Sequence, residues 1–154
     1  MQKDLVILEE DKQWARARIA ELDDEIQGLG PEFYDVFNQS SETWHDNAPF
    51  DALRDRQSVL DAERQQLRTI LRESVPGLPK QKKTEVGVGT LVMLDNKKSY
   101  FIAGDWTPFA GQMKDEALVV SRNTPLAVGL LGKKKGESVV IAGKACTIIG
   151  LTQS

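Results

Sequence analysis

Leu53, Leu60 and Leu67 stand seven residues apart, with Ile70 and Leu71 beside the last of them. A seven-residue repeat leaves a narrow apolar seam along a helix, and such a seam needs a second helix to cover it. The pattern predicts a helix from near Pro49, which suits a first helical turn because its missing N–H would have no intrahelical partner there. Over about 26 residues that helix spans about 39 Å at ~1.5 Å per residue. The covering helix lies upstream. Leu22, Ile26 and Leu29 recur at spacings of four and three, Ile19 sits one turn earlier, and Leu8 and Ala15 extend the face. Gly28, Gly30 and Pro31 interrupt this pattern and predict a kink or short break, after which Phe33, Val36 and Phe37 resume an apolar face. A short polar stretch, residues 39–47, joins the two segments into an antiparallel helical hairpin over residues 1–75 with its tip near 42–50. Neither helix has a broad apolar face, so the hairpin is expected to project.

Beyond residue 75 the period changes. Val75-Pro76-Gly77-Leu78-Pro79 ends the helical pattern, and residues 76–84, with Lys80-Gln81-Lys82-Lys83, read as a basic linker. Val86, Val88, Thr90, Val92 and Leu94 then alternate with Gly87, Gly89, Leu91 and Met93, a strand signal closed by the turn Asp95-Asn96-Lys97-Lys98. Further strands are expected at Ser99–Ala103, Ala117–Ser121, Ser138–Ile141 and residues 145–151. One short helix interrupts them, with Thr124 as N-cap, Pro125 at the first position, 126–131 as its body and Gly132 as its stop. Residues 85–154 therefore form an α+β unit, a mostly antiparallel sheet with one helix against it.

Composition narrows the setting. No apolar run approaches the roughly 18 residues of a membrane span, and the opening MQKDLVILEEDKQW is too acidic for a secretory signal. A single cysteine, Cys146, excludes an internal disulfide and fits a reducing compartment, so cytoplasm is the expected location and no membrane partner is expected. Cys146 alternates with Ile148 on a strand and reads as an inert core residue. Charge is divided unevenly: residues 1–75 carry 17 acids and 9 bases, residues 76–154 carry 6 and 11. The two units thus present different surfaces to a large partner, or both are simply solvated.

Two stretches resemble a known family. Residues 121–136, SRNTPLAVGLLGKKKG, are similar to the characteristic run of the Gre-type transcription elongation (transcript cleavage) factors: a strand, an Asn/Asp-Ser-Pro-Leu-Ala turn, a short helix and a Leu-Gly-Lys end. The following ESVVIAGKACTIIGL has that family's strand-turn-strand finish. In the hairpin, Asp46-Asn47-Ala48-Pro49-Phe50 followed by Arg54 resembles the family's tip signature, Gly-Asp-x-x-Glu-Asn-Ala-acid-Tyr. The resemblance covers essentially the whole chain. It implies a coiled-coil arm, an FKBP-like globule that docks on the rim of the RNA polymerase secondary channel, and an arm that enters the channel. It further implies that tip carboxylates help hold a Mg²⁺ shared with the polymerase active centre, where a backtracked RNA 3′ end is cut. The factor itself is then no enzyme, a monomer with no cofactor of its own, acting on polymerase and the nascent RNA 3′ end. Hard oxygen ligands suit such a metal.

Carried over residue by residue, Asp46 falls at the family's tip Glu. Thr43 falls at the other acidic position when aligned from Asn47, and Glu42 is one residue away. Asp46 and Glu42 are the candidate catalytic assistants, and both also suit helix caps or solvated acids. Trp44, His45 and Arg54 are candidate RNA or channel contacts; Trp44 is equally a residue packed over the hairpin end, and His45 between two acids is a weak pattern for a soft metal. Arg54 matches a family Arg near the tip. Asn123, Thr124 and Pro125 match the docking turn, with Thr124 keeping the hydroxyl of the usual Ser. Arg64, Arg68 and Arg72 share one helical face, read as solvated and paired with neighbouring acids, with a weak RNA-tracking stripe as the alternative. Four functions stay open: a cleavage-stimulating elongation factor, a channel-binding modulator that does not support cleavage, a prolyl isomerase suggested by the implied fold alone, and a free-standing coiled-coil protein.

Overall fold

A computed structural model describes residues 5–40, 48–79 and 82–153. The chain divides into two compact units, one of residues 13–72 and one that joins residues up to 12 with residues 73–154.

The first unit is the predicted hairpin. Helix α1 runs Glu9–Ser40 and helix α2 runs Ala48–Glu73. Acidic Glu9, Glu10 and Asp11 occupy the first turn of α1, where the exposed N–H groups favour negative charge. The seam is as the spacing predicts: Ala15, Leu22 and Leu29 are buried on α1, Leu60 and Leu67 on α2. Each fully buried Leu contributes about 1.5–3 kcal/mol. The helices run antiparallel, since Arg18 meets Glu63 while Phe33 meets Phe50. The break expected at Gly28–Pro31 does not occur, and α1 is helical through Pro31. One lost backbone donor is a local cost, and the apolar residues on both sides, Leu29 buried and Phe33 half-buried, keep the helix on its partner. Arg64 pairs with a neighbouring acid on its own helix, as read, and also with one on α1. It bonds Asp23 across the hairpin at 2.7 Å as well as Asp61 on its own helix at 2.8 Å.

The second unit is a six-stranded sheet with β1 (Thr90–Leu94), β2 (Ser99–Ala103), β3 (Met113–Lys114), β4 (Ala117–Ser121), β5 (Ser138–Ile141) and β6 (Lys144–Gln153), in the order β3-β4-β2-β1-β6-β5. Helix α3 spans Pro125–Leu130. The fold is α+β with a mostly antiparallel sheet, as expected; among the described strands β2 and β4 pair in parallel. The strand expected from residue 86 begins only at Thr90. Val86 and Val88 are buried outside the strands, and Gly89, at φ +91, turns the chain between them and β1. Strand β3, two residues long, gave no periodic signal. It closes onto β4 through Asp115 and Glu116, both at positive φ, the geometry of a tight hairpin turn.

Alternation along the strands splits the core between two faces. On one, Val92, Leu94, Tyr100, Ile102 and Val120 pack with Ala127 and Leu130 of α3 and with Val139, Cys146 and Ile148. Cys146 is a buried free thiol, as read. On the other, Val88, Ala103 and Val119 pack with Val6 and Leu8. Residues 5–8, assigned by sequence to the hairpin, instead lie on the sheet unit. Leu5 bridges Ser74, Val75 N–H donates to the Leu5 carbonyl at 2.8 Å, and the Lys12 ammonium donates to the Val75 carbonyl at 2.9 Å. The physical reason is length: a short apolar run without helical period covers a sheet face as an extended strap.

Candidate functional site

The turn after β4 is organised by one carboxylate, Asp105, whose side chain is 7% exposed. Strand β4 ends at Ser121, whose hydroxyl donates to the Gly104 carbonyl at 2.9 Å. Arg122 N–H donates to the Ala103 carbonyl at 3.1 Å, so the turn is tied to the end of β2 beside it. The Arg122 guanidinium then forks onto Asp105, Nε to Oδ1 at 2.7 Å and Nη2 to Oδ2 at 2.9 Å. Asn123 Nδ2 donates to the same Oδ1 at 2.7 Å, and the Val6 N–H donates to Oδ2 at 2.7 Å. Burial alone would push the Asp105 carboxyl up, but the Arg122 fork, the Val6 N–H and the Asn123 amide together hold it below the ordinary Asp value. The carboxylate is thus ionised at neutral pH and accepts from three partners.

Gly104 makes this clamp possible. A Cβ there would stand 2.1 Å from the Val6 carbonyl oxygen, so only glycine lets the strap 5–8 approach closely enough for Val6 to reach Asp105. Thr124 caps α3 as predicted: its Oγ1 accepts from Ala127 N–H at 3.3 Å and donates to the Ser121 carbonyl at 2.8 Å. Pro125 opens the helix and Gly132, at φ +81, follows it. Asn123 and Pro125 are exposed while Thr124 is half-buried, so the three docking candidates share one turn with two of them at the surface.

The hairpin end is described in part. Glu42, Thr43, Trp44, His45 and Asp46 lie outside the described residues. What adjoins them is an aromatic pair, Phe33 edge-on to Phe50 at 5.5 Å between centroids, with the Arg54 guanidinium 5.8 Å from the Phe50 ring centroid. Arg54 is exposed and fixed on one side by that ring, a contact worth about 0.5–1 kcal/mol at a surface. Pro49 and Phe50 occupy the first turn of α2. Among the described residues no group of three or more His, Cys, Asp or Glu is placed to hold a metal ion, and no helix is long and apolar enough to cross a membrane.

The chain is 31% identical over 101 residues to the transcription elongation factor GreA of Macrococcus caseolyticus, a match covering 61% of this chain and 60% of that relative. Over that stretch the chain is similar in sequence to a Gre factor. The match spans less than two thirds of that relative's length. Solved structures with similarity over nearly the whole chain include one of the transcription factor Gfh1, at 16% identity and a TM-score of 0.45, covering 98% of this chain and 99% of that one. Another is the GreA factor homolog 1 of Thermus thermophilus, at 16% identity and 0.40, covering 97% and 99%. No family model matches the chain.

The sequence marks residues 123–125 as a turn into a helix but gives no clear sign of Asp105, Gly104 and Val6, which hold it. A Gly-Asp pair directly after a strand was the available signal, and it is weak without knowing that β2 ends beside β4. Asp11 was likewise missed. It is 3% exposed, its Oδ2 has no hydrogen-bond partner among the described residues, and burial raises its carboxyl to about 6 against an opposing hydrogen bond from Thr107.

Proposed function

We propose that this protein is a transcription elongation factor that binds RNA polymerase through the turn 123–125, inserts its hairpin into the secondary channel and stimulates cleavage of backtracked RNA by the polymerase. The observation that supports this reading most is the docking turn: the residues that match the Gre pattern form one turn, held by a buried carboxylate, in a chain related in sequence to GreA. A surface loop anchored this firmly loses little conformational freedom on binding, which favours affinity. In this reading the Mg²⁺ is the polymerase's, and Asp46 with Glu42 lends it oxygen ligands, the chemistry such an ion takes. Arg54, exposed beside the hairpin end, then faces RNA or the channel wall.

One observation favours a second reading, a channel-binding modulator that does not support cleavage. Pro49 sits in the first turn of α2, where the Gre tip pattern has an acid, and a proline has no ligand to offer. Incubating stalled, backtracked elongation complexes with the wild-type chain and with Asp46→Ala and Glu42→Ala separates the two. Shortened transcripts that disappear with the variants support cleavage stimulation. Slowed elongation without shortening supports the modulator, and absence of polymerase binding sinks both.

A further inference from the structure

The three docking residues do not offer a partner equal chemistry. The Thr124 hydroxyl is already used in both directions, donating to the Ser121 carbonyl and accepting from Ala127 N–H. Pro125 has no N–H. Asn123 has two chemically opposite ends, and which one is free depends on what it faces. An ionised carboxylate accepts and does not donate, so the end of the Asn123 amide that lies 2.7 Å from Asp105 Oδ1 is the nitrogen. The assignment follows from the chemistry of the neighbour and not from the similar shapes of the oxygen and nitrogen.

We propose that Asp105 sets the polarity of the docking turn: by holding Nδ2 of Asn123 it leaves Oδ1 as an acceptor for a hydrogen-bond donor on the polymerase surface. This rests on the reading of residues 123–125 as the docking turn. Oδ1 belongs to an exposed residue and takes part in no hydrogen bond among the described residues. The matching partner group is an N–H donor, from a guanidinium, an ammonium or a backbone amide. A carboxylate on the partner meets an oxygen there, with the Asp105 charge directly behind it. Asp105 is therefore a positioning residue, acting through Asn123 without touching the partner. The Arg122 fork serves the same end, because it fixes the carboxylate plane that Asn123 reads.

A double-mutant cycle on the full-length chain tests this, with affinity for RNA polymerase core as the readout and thermal melting as the folding control. Asn123→Leu keeps the side-chain shape and removes both amide ends, and affinity is expected to fall about tenfold. Asp105→Asn frees the amide to turn over, and a loss of similar size is expected. The double variant is expected to lose no more than either single one, because an unoriented amide has nothing further to lose. Fully additive losses overturn the proposal, as does an Asn123→Leu variant that binds like wild type. Should Asp105→Asn fail to fold, the side-chain amide of Asn123 in wild-type protein, observed by ¹⁵N NMR, decides the orientation. A slowly exchanging Nδ2 proton whose shift follows acid titration of Asp105 supports it, and an amide indifferent to that titration overturns it. Wild-type protein that does not bind polymerase defeats the docking reading, while the NMR result still reports on the amide.

Discussion

Two arginine–carboxylate forks of nearly the same geometry sit in the two units of this chain. In the hairpin, Arg18 meets Glu63 at 2.6 and 3.1 Å. In the sheet unit, Arg122 meets Asp105 at 2.7 and 2.9 Å. The arginines are alike in exposure, 25% and 29%, but Glu63 is 37% exposed and Asp105 only 7%. Water competes for the Glu63 oxygens, and the pair spans two helices already held by a leucine seam. Around Asp105 the partners replace water: a guanidinium, an amide and a backbone N–H converge on two oxygens. Equal distances therefore do not mean equal contributions, because the cost of breaking a pair is set by what is left unpaired out of water. The hairpin uses its fork as a surface fastening, and the sheet unit uses its own as an organising centre.

Breaking the sheet-unit fork gives the largest expected effect. Asp105→Ala is expected to cost about 3 kcal/mol, at the low end for a buried pair because Arg122 can still reach water. Urea unfolding followed by Trp106 fluorescence measures it, and a loss under about 1 kcal/mol removes the contrast with the hairpin. The sign with pH follows from a carboxyl held below its usual value: the contribution is present at neutral pH, above the unfolded value near 4, and is lost as pH falls through the lower folded value.

Asp11 provides the opposite case, a buried carboxyl whose Oδ2 has no hydrogen-bond partner among the described residues. Its folded value, about 6, lies above the ordinary one, so it destabilises the fold progressively as pH rises from about 4 through 6. Asp11→Asn is expected to stabilise the protein by about 2 kcal/mol at pH 7, with the gain vanishing near pH 4. A melting-temperature difference that stays constant across that range contradicts the assignment.

Smaller effects belong to the hairpin. A Cβ at Gly28 meets nothing within 4 Å, so Gly28→Ala is expected to raise stability by about 0.5–1 kcal/mol in chemical denaturation followed by helical circular dichroism. A loss there shows that the helix tolerates Gly28 for a reason other than propensity. Glu63→Gln sharpens the comparison most directly: it is expected to cost about 0.5 kcal/mol or less, and that cost is expected to fade in ~1 M salt. A salt-independent loss as large as that of Asp105→Ala erases the distinction between the two forks.

What the sequence determined is what depends on near neighbours along the chain. The seven-residue leucine spacing specified α2 and its seam, alternation specified β2, β4 and β5, and Thr124-Pro125 with Gly132 specified the ends of α3. Each of these is set within a turn or two of backbone, where side-chain period and capping chemistry act. What tertiary structure decided lies between residues far apart. The Val6 N–H reaches an Asp105 oxygen 99 residues away, and Asn123 reaches the same carboxylate across 18. The parallel pairing of β2 with β4 is of the same kind, and so is the helix that continues through Pro31 on tertiary packing. A carboxylate announces no partners in a sequence. Asp105 became the centre of the turn after β4 because glycine at 104 let one strap of backbone come close enough to share it.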